Sequence, residues 1–540
     1  MKTKLLILVA LVLFSCKKEI QPTLSDDTSA IAVKDVEFKV LDSQYIDNDA
    51  LWQPFEKYWE HFSESDYNAL KPLILEQNIP SIQKNIYEGK LSYEKLTLFY
   101  LYRIKKFDRN NELSLNAVIS LNPNVVEEAK EKDHQLKNRM LKHPIFGMPI
   151  LLKDNINASG MLTTAGAIAL ANNNTSDAFI VQQLKQNGAL ILGKANLSEW
   201  AYFFCGECPS GYSAIGGQTL NPYGRKVFDT GGSSSGSGVA SAANFSVGTV
   251  GSETAGSILS PASSNSVVGL KPTIGVLSRT GIVPISSTLD TPGPITRNVI
   301  DNAILLDAMS GYDSSDALSI EFKRSFKNYY DNLDTSLKSF DGIRFGVFKE
   351  LLKDTLYLNA VESIKNQGAE IIEIKEIEVK LNGFMALLNI DMRNDLPKYL
   401  KNNASDKIGL TSVQDVIDFN KKDSVKTMPY GQALFYGIMN DETKEDEFVK
   451  IKDSLHIKGK KFFDIHINKH NLDGILSINN YHAGEAAVAI YPAITVPMGY
   501  TEEGQPKGLT FITSKTEKDL LEWAAIYENA SKMRIVPKNY

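Results

Sequence analysis

Residues 229–275 are unusually rich in glycine, serine and alanine. Two stretches concentrate them: Gly231-Gly232-Ser233-Ser234-Ser235-Gly236-Ser237-Gly238 and Gly251-Ser252-Glu253-Thr254-Ala255-Gly256-Ser257. Glycines let a backbone approach a reacting group closely, and three chemistries use such a run. A phosphate-binding loop requires G-x-x-x-x-G-K-[ST], and no lysine stands at the required place. A nucleophile elbow requires G-x-S-x-G after a strand, with an acid and a histidine later in the chain. Gly232-Ser233-Ser234-Ser235-Gly236 fits the letters and makes Ser234 the nucleophile. However, residues 226–230 make a poor buried strand, and His456, His466, His470 and His482 sit in no recognisable context. The third chemistry is a serine hydrolase whose base is a lysine. A hydroxyl attacks an amide only when a base removes its proton, and a lysine serves if burial lowers its pKa from about 10.4. A Gly/Ser-rich pocket supplies hydroxyls to hold the amine and few charges to keep it protonated. A second serine can relay the proton, and backbone N–H groups in a glycine-containing turn can bind the oxyanion.

The chain has 540 residues, enough for one large α/β domain or two smaller ones. A net charge of −6 gives no basic footprint, so nucleic acid is not expected as a main partner. Strand patterns flank the Gly/Ser run. Pro149-Ile150-Leu151-Leu152-Lys153 reads as a buried strand ending in a charge, residues 177–187 as a helix, and Ala189-Leu190-Ile191-Leu192-Gly193 as a second strand. The apolar pattern returns at Ala493-Ile494-Thr495-Val496, with a helix over 517–532 behind it. Strand, helix, strand predicts an α/β core. Ahead of that core, residues 79–104 carry apolar side chains at helical spacing, and 127–142 read as a charged, solvated helix. Residues 350–470 read as a charged, mostly helical insertion with no assigned chemistry.

Lys2 and Lys4 precede an apolar run of about 10 residues, too short to span a bilayer as a helix. Leu13-Phe14-Ser15-Cys16 and polar residues follow at once. This boundary resembles the lipobox of bacterial lipoproteins, in which the cysteine is acylated. The resemblance implies a signal peptide over 1–15, a lipid on Cys16, a flexible tether over 16–40 and a protein exported to the periplasmic or cell-surface side of a bacterial membrane. A plain secretory signal is the alternative, and it too places the mature chain outside the cytoplasm. Two cysteines remain, Cys205 and Cys208. Two cannot complete a four-ligand zinc site; a short disulfide, two free thiols and a redox role all stay open. His466 and His470, four apart, could face one way as metal ligands, but no third ligand is placed with them, and they read as surface histidines.

Several separated stretches resemble the amidase signature family, in its order. They are residues 143–155 (His143 to Asn155), Lys194-Ala195-Asn196-Leu197-Ser198-Glu199-Trp200, the run from Gly231 to Lys271-Pro272-Thr273, Ser287-Thr288-Leu289-Asp290-Thr291-Pro292-Gly293-Pro294, and residues 491–499. The resemblance spans roughly residues 80–540. It implies the amidase signature fold: a mixed twisted sheet covered by helices on both faces, with an N-terminal helical region over 41–142 and a catalytic core over 143–540. It implies hydrolysis of a carboxylic amide through an acyl-enzyme, with no cofactor and no metal. By position, Lys153 matches the catalytic lysine, Ser233 the bridging serine at a cis peptide bond and Ser257 the nucleophile. The backbone N–H groups of Thr254, Ala255, Gly256 and Ser257 match the oxyanion hole. Asp154, beside Lys153, is a candidate for orienting the strand end. Leu259 stands where many members have arginine, Glu253 where many have aspartate, and Ser477-Ile478-Asn479-Asn480 where Pro-Thr is frequent. These departures bear on substrate choice. Gly251-Ser252-Glu253-Thr254 and residues 268–279 look most like the peptide amidase branch, which implies a peptide or amino-acid amide as substrate. The alternatives are an A-like subunit of a tRNA-dependent amidotransferase, against which export argues, and a non-catalytic surface binding protein on the same scaffold. Oligomeric state is not legible.

Overall fold

The computed structural model describes residues 37–109, 111–136, 142–320, 327–333 and 339–540. Cys16 and the residues expected to form a signal peptide and most of a tether lie outside the described residues. Among those described, no helix is long and apolar enough to cross a membrane.

The core is one sheet of 11 strands in the order β1-β3-β2-β6-β8-β7-β12-β13-β11-β9-β10. In chain order these are β1 (Val118–Leu121), β2 (Pro149–Lys153), β3 (Leu190–Ala195), β6 (Gly248–Glu253), β7 (Val268–Lys271), β8 (Thr291–Thr296), β9 (Arg344–Phe348), β10 (Glu370–Ile374), β11 (Gly474–Ile478), β12 (Ala493–Tyr500) and β13 (Pro506–Ile512). The short strands β4 (Tyr212–Ser213) and β5 (Gly217–Gln218) pair separately. The sheet is mixed: β3, β2 and β6 run parallel, as do β11, β9 and β10, while the strands between them alternate in direction. Successive side chains of a strand point to opposite faces. Every residue of β2, β3, β6, β7, β8 and β11 is buried, so both faces are covered. The helices Ser235–Ala242, Leu259–Ser264, Val299–Met309 and Glu517–Ser531 pack against the sheet.

The helix Ser235–Ala242 has no large side chain except Val239 and is buried throughout. Small residues let it lie close to its neighbours: a Cβ on Gly236 would fall 2.4 Å from Asn196 O. The residues read as a continuous helical region over 79–104 form two helices, Ile79–Tyr87 and Tyr93–Phe107. They part at Gly89, whose φ of +72° is left-handed, and Ser92 caps the second by accepting from Lys95 N. The charged helix runs over Val125–Leu136, starting two residues early because Val125 and Val126 are buried. The stretch 350–470 contributes a strand as well as helices. β10 pairs with β9 at the sheet edge and keeps Glu370 and Glu373 exposed; charged side chains blunt an edge against further pairing. Most of the rest is helical, and the helices Phe384–Asn402, Val413–Lys421 and Ala433–Asn440 form a second apolar cluster with Trp200, Phe203 and Phe204.

Candidate active site

Strands β2 and β6 are parallel neighbours with Leu152 opposite Val250. Their C-terminal ends therefore deliver Lys153 and Ser252 side by side, at the carboxyl ends of parallel strands, where open α/β sheets bind ligands. Lys153 is fully buried. Its Nζ donates to Ser233 Oγ at 2.7 Å, to Ser252 Oγ at 2.9 Å and to Ser252 O at 3.0 Å. Burial pushes its pKa down to about 7, against the opposing charges of Asp290 and Glu253.

Ser233 follows the cis Gly232–Ser233 peptide bond, and its carbonyl accepts from Ser198 N at 3.0 Å. Ser234 N donates to Ser257 O at 3.1 Å, which ties this segment to the turn after β6. Ser257 is half-buried. Its Oγ makes no hydrogen bond among the described residues. Lys153 and Ser233 are thus joined directly, and Ser257 is brought beside them through the backbone.

The elbow reading fails at Ser234. That side chain is fully buried, donates to Ser252 O at 3.0 Å and accepts from Ser252 N at 3.2 Å. A hydroxyl held on both sides and sealed from solvent cannot attack a substrate.

One expected oxyanion donor is occupied. Glu253 is buried and accepts from Gly256 N at 2.7 Å, Ile258 N at 2.7 Å and Leu259 N at 3.0 Å. The Gly256 N–H therefore faces the carboxylate. Gly256 holds a left-handed φ of +98° there. Leu259, the departure from arginine, packs in the apolar cluster of Phe348 and Phe462.

Thr254 Oγ1 donates to Asp290 Oδ1 at 2.6 Å, and Asp290 Oδ2 accepts from Ile285 N at 2.8 Å and Ser286 N at 2.9 Å. Burial pushes the Asp290 carboxyl up to about 6. Ser252, Thr254 and Asp290 line a cavity of about 540 Å³ whose far wall includes Arg279, Lys398 and Tyr399. The last two belong to the helix Phe384–Asn402, so the helical stretch forms part of the cleft.

Asp154 turns away from the site. Its Oδ2 accepts from Thr164 N at 3.0 Å and from the Thr164 hydroxyl, and its Oδ1 lies 3.0 Å from Lys194 Nζ as an ion contact. Cys205 and Cys208 are joined as a disulfide within the second apolar cluster. His466 is buried rather than on the surface, its ring 6.4 Å from that of His470. No group of three or more potential metal ligands occurs among the described residues. Sequence reasoning assigned no role to Ser252, although the residue lies in the quoted run. Its hydroxyl accepts from both Lys153 and Asn155 Nδ2 (2.9 Å), a meeting of β2 and β6 that only the sheet order reveals.

Residues 95–456 match the sequence profile of the family named Amidase. A probable amidase of Arabidopsis thaliana is 35% identical over 482 residues, covering 86% of this chain and 92% of the relative. The chain belongs to the amidase family. Two solved structures extend this likeness. An amidase family protein from Bacillus anthracis superposes with a TM-score of 0.87 at 35% identity, over 94% of this amidase and 100% of that chain. The native peptide amidase of Stenotrophomonas maltophilia superposes with a TM-score of 0.80 at 36% identity, over 86% of this amidase and 98% of that chain. The amidase is therefore an amide-hydrolysing enzyme with the amidase signature α/β fold.

Proposed function

We propose that this amidase releases ammonia from the amides of peptides or amino acids through an acyl-enzyme on Ser257. Neutral Lys153 is the base and Ser233 the relay. As Ser257 Oγ attacks the carbonyl carbon, its proton passes to Ser233 Oγ and the Ser233 proton passes to Lys153 Nζ. The resulting oxyanion faces the N–H groups of Thr254, Ala255 and Ser257. The C–N bond then breaks as Lys153 returns its proton through Ser233 to the leaving nitrogen. Water attacks the Ser257 ester by the same route and releases the carboxylic acid. No metal or cofactor takes part. The observation that carries the reading is a buried lysine, its pKa pushed down to about 7, whose Nζ lies 2.7 Å from the Oγ of Ser233, next to the residue that pins the Ser257 turn. The likeness to a peptide amidase at 36% identity supports the substrate class.

The same proposal places the enzyme outside the cytoplasm, with a signal peptide over 1–15, Cys16 lipidated and a tether over 16–40 joined to the helical region 41–142 and the core 143–540. The sequence Leu13-Phe14-Ser15-Cys16 supports it. Cys16→Ala should move the protein from the membrane to the soluble fraction; retention in the membrane contradicts the anchor.

Ammonia release from a panel of peptide, amino-acid, aryl and fatty amides tests the reaction. Release from peptide or amino-acid amides that vanishes in Ser257→Ala is expected. No release across the panel, with Ser257 unreactive to a fluorophosphonate, would overturn it in favour of a binding role.

A further inference from the structure

The turn between β11 and the helix Ala483–Ala489 lies against the proposed nucleophile turn, although more than 200 residues separate them. A Cβ placed on Gly256 would fall 3.2 Å from Asn480 Nδ2, 3.5 Å from Asn480 Cβ and 3.5 Å from Ala483 Cβ. Asn480 thus covers the residue immediately before Ser257.

The turn around Asn480 is firmly built. Asn479 N donates to Gly508 O at 2.9 Å, Asn479 Oδ1 accepts from Gly508 N at 2.7 Å, and Asn479 O accepts from Thr510 Oγ1 at 2.5 Å. On the other side, Ala483 N donates to Asn480 O at 3.0 Å, and Nδ1 of buried His482 is hydrogen-bonded to the hydroxyl of buried Ser477 at 2.6 Å. Asn479 is therefore consumed by the scaffold. The Asn480 side chain is half-buried and makes no hydrogen bond among the described residues. A firmly held turn thus keeps a primary amide beside the residue that precedes the proposed nucleophile, without using that amide itself.

The chemistry of that side chain selects the ligand. A carboxamide offers an N–H₂ donor and a carbonyl acceptor, the complement of a peptide unit's C=O and N–H. When ammonia is the leaving group, everything recognisable in the substrate lies on its acyl side. We infer that Asn480 is a specificity-determining residue that hydrogen-bonds the peptide group on the acyl side of the scissile amide. The inference rests on the peptide-amide reading of the function. It gives this enzyme a reason to favour N-acylated amino-acid amides over plain aliphatic amides, which carry no second peptide group.

The test uses the full chain and two substrates, N-acetyl-phenylalaninamide and butyramide. Each is assayed for kcat and KM by ammonia release. Asn480→Ala should lower kcat/KM for the acetylated amide about tenfold more than for butyramide, the worth of one partly buried hydrogen bond. Asn480→Asp is isosteric but has lost both N–H donors, and it should lower the same ratio at least as far. Thermal melts establish that each variant is folded. Equal losses on both substrates, or an unchanged ratio in both variants, would overturn the inference while leaving the peptide-amide reading in place. A wild-type enzyme that hydrolyses butyramide and ignores the acetylated amide would overturn both.

Discussion

Strands β2 and β3 lie side by side, and each buries a lysine completely. Their surroundings differ. Lys194 meets a carboxylate, Asp154, at 3.0 Å and donates to Thr163 Oγ1 at 3.0 Å. Lys153 meets only two serines, with the nearest charges acting from a distance. Burial lowers the pKa of both amines. At Lys194 the partner charge of Asp154 opposes that effect. At Lys153 hydroxyls hold the amine without a counter-charge, and its pKa settles at about 7. The contrast teaches how a fold makes a base: the position is dry, and the neighbouring carboxylate of Asp154 pairs instead with the lysine of the adjacent strand.

The comparison breaks most sharply at Lys153 itself. Lys153→Met should lower kcat by about 10³–10⁴-fold, the loss expected for a general base, while the melting temperature moves little. Lys194→Met should do the reverse. It leaves Asp154 buried without its cation, a loss of about 3–5 kcal/mol, read as a large fall in the denaturant midpoint. If both variants lost activity and stability in the same proportion, the two lysines would not have distinct roles. Asp290→Asn sharpens the contrast more gently. The Asp290 charge favours the protonated form of Lys153, so removing it should move the rising limb of kcat/KM to lower pH. The weakened Thr254 contact should also lower kcat/KM about tenfold. A limb that stayed in place or moved to higher pH would rule out that charge effect. The smallest effect belongs to Ser234→Ala. Loss of its contacts with Ser252 should lower stability by about 1 kcal/mol and activity by a few-fold, where Ser257→Ala abolishes turnover.

Much of this site is visible along the chain because the chemistry is packed into motifs. Lys153 ends a run of apolar residues, and Ser233 and Ser257 sit in the two densest Gly/Ser stretches. What the sequence hides are contacts created by sheet order. Ser252 meets Lys153 only because β2 and β6 are neighbours, and Asp290 reaches Thr254 only because the segment leading into β8 returns beside β6. The commitment of the Gly256 N–H to Glu253 depends on how a turn closes, which composition does not dictate. Asn480 reaches Gly256 through the fold alone. β10 escapes notice because Glu370-Ile371-Ile372-Glu373-Ile374 is short and charged, as an edge strand is. The ion pair of Asp154 with Lys194 follows the same rule: both residues stand in recognisable motifs, yet their pairing appears only across strands.

The central claim is that Lys153 works as a neutral base near physiological pH. The rate of Ser257 labelling by a small fluorophosphonate, followed from pH 5.5 to 10, tests it without depending on the choice of substrate. The account predicts a rate that rises with pH through a midpoint near 7, with labelling all but lost at every pH in Lys153→Met. A midpoint near 10, where an unperturbed lysine titrates, or the same profile in Lys153→Met, would contradict it.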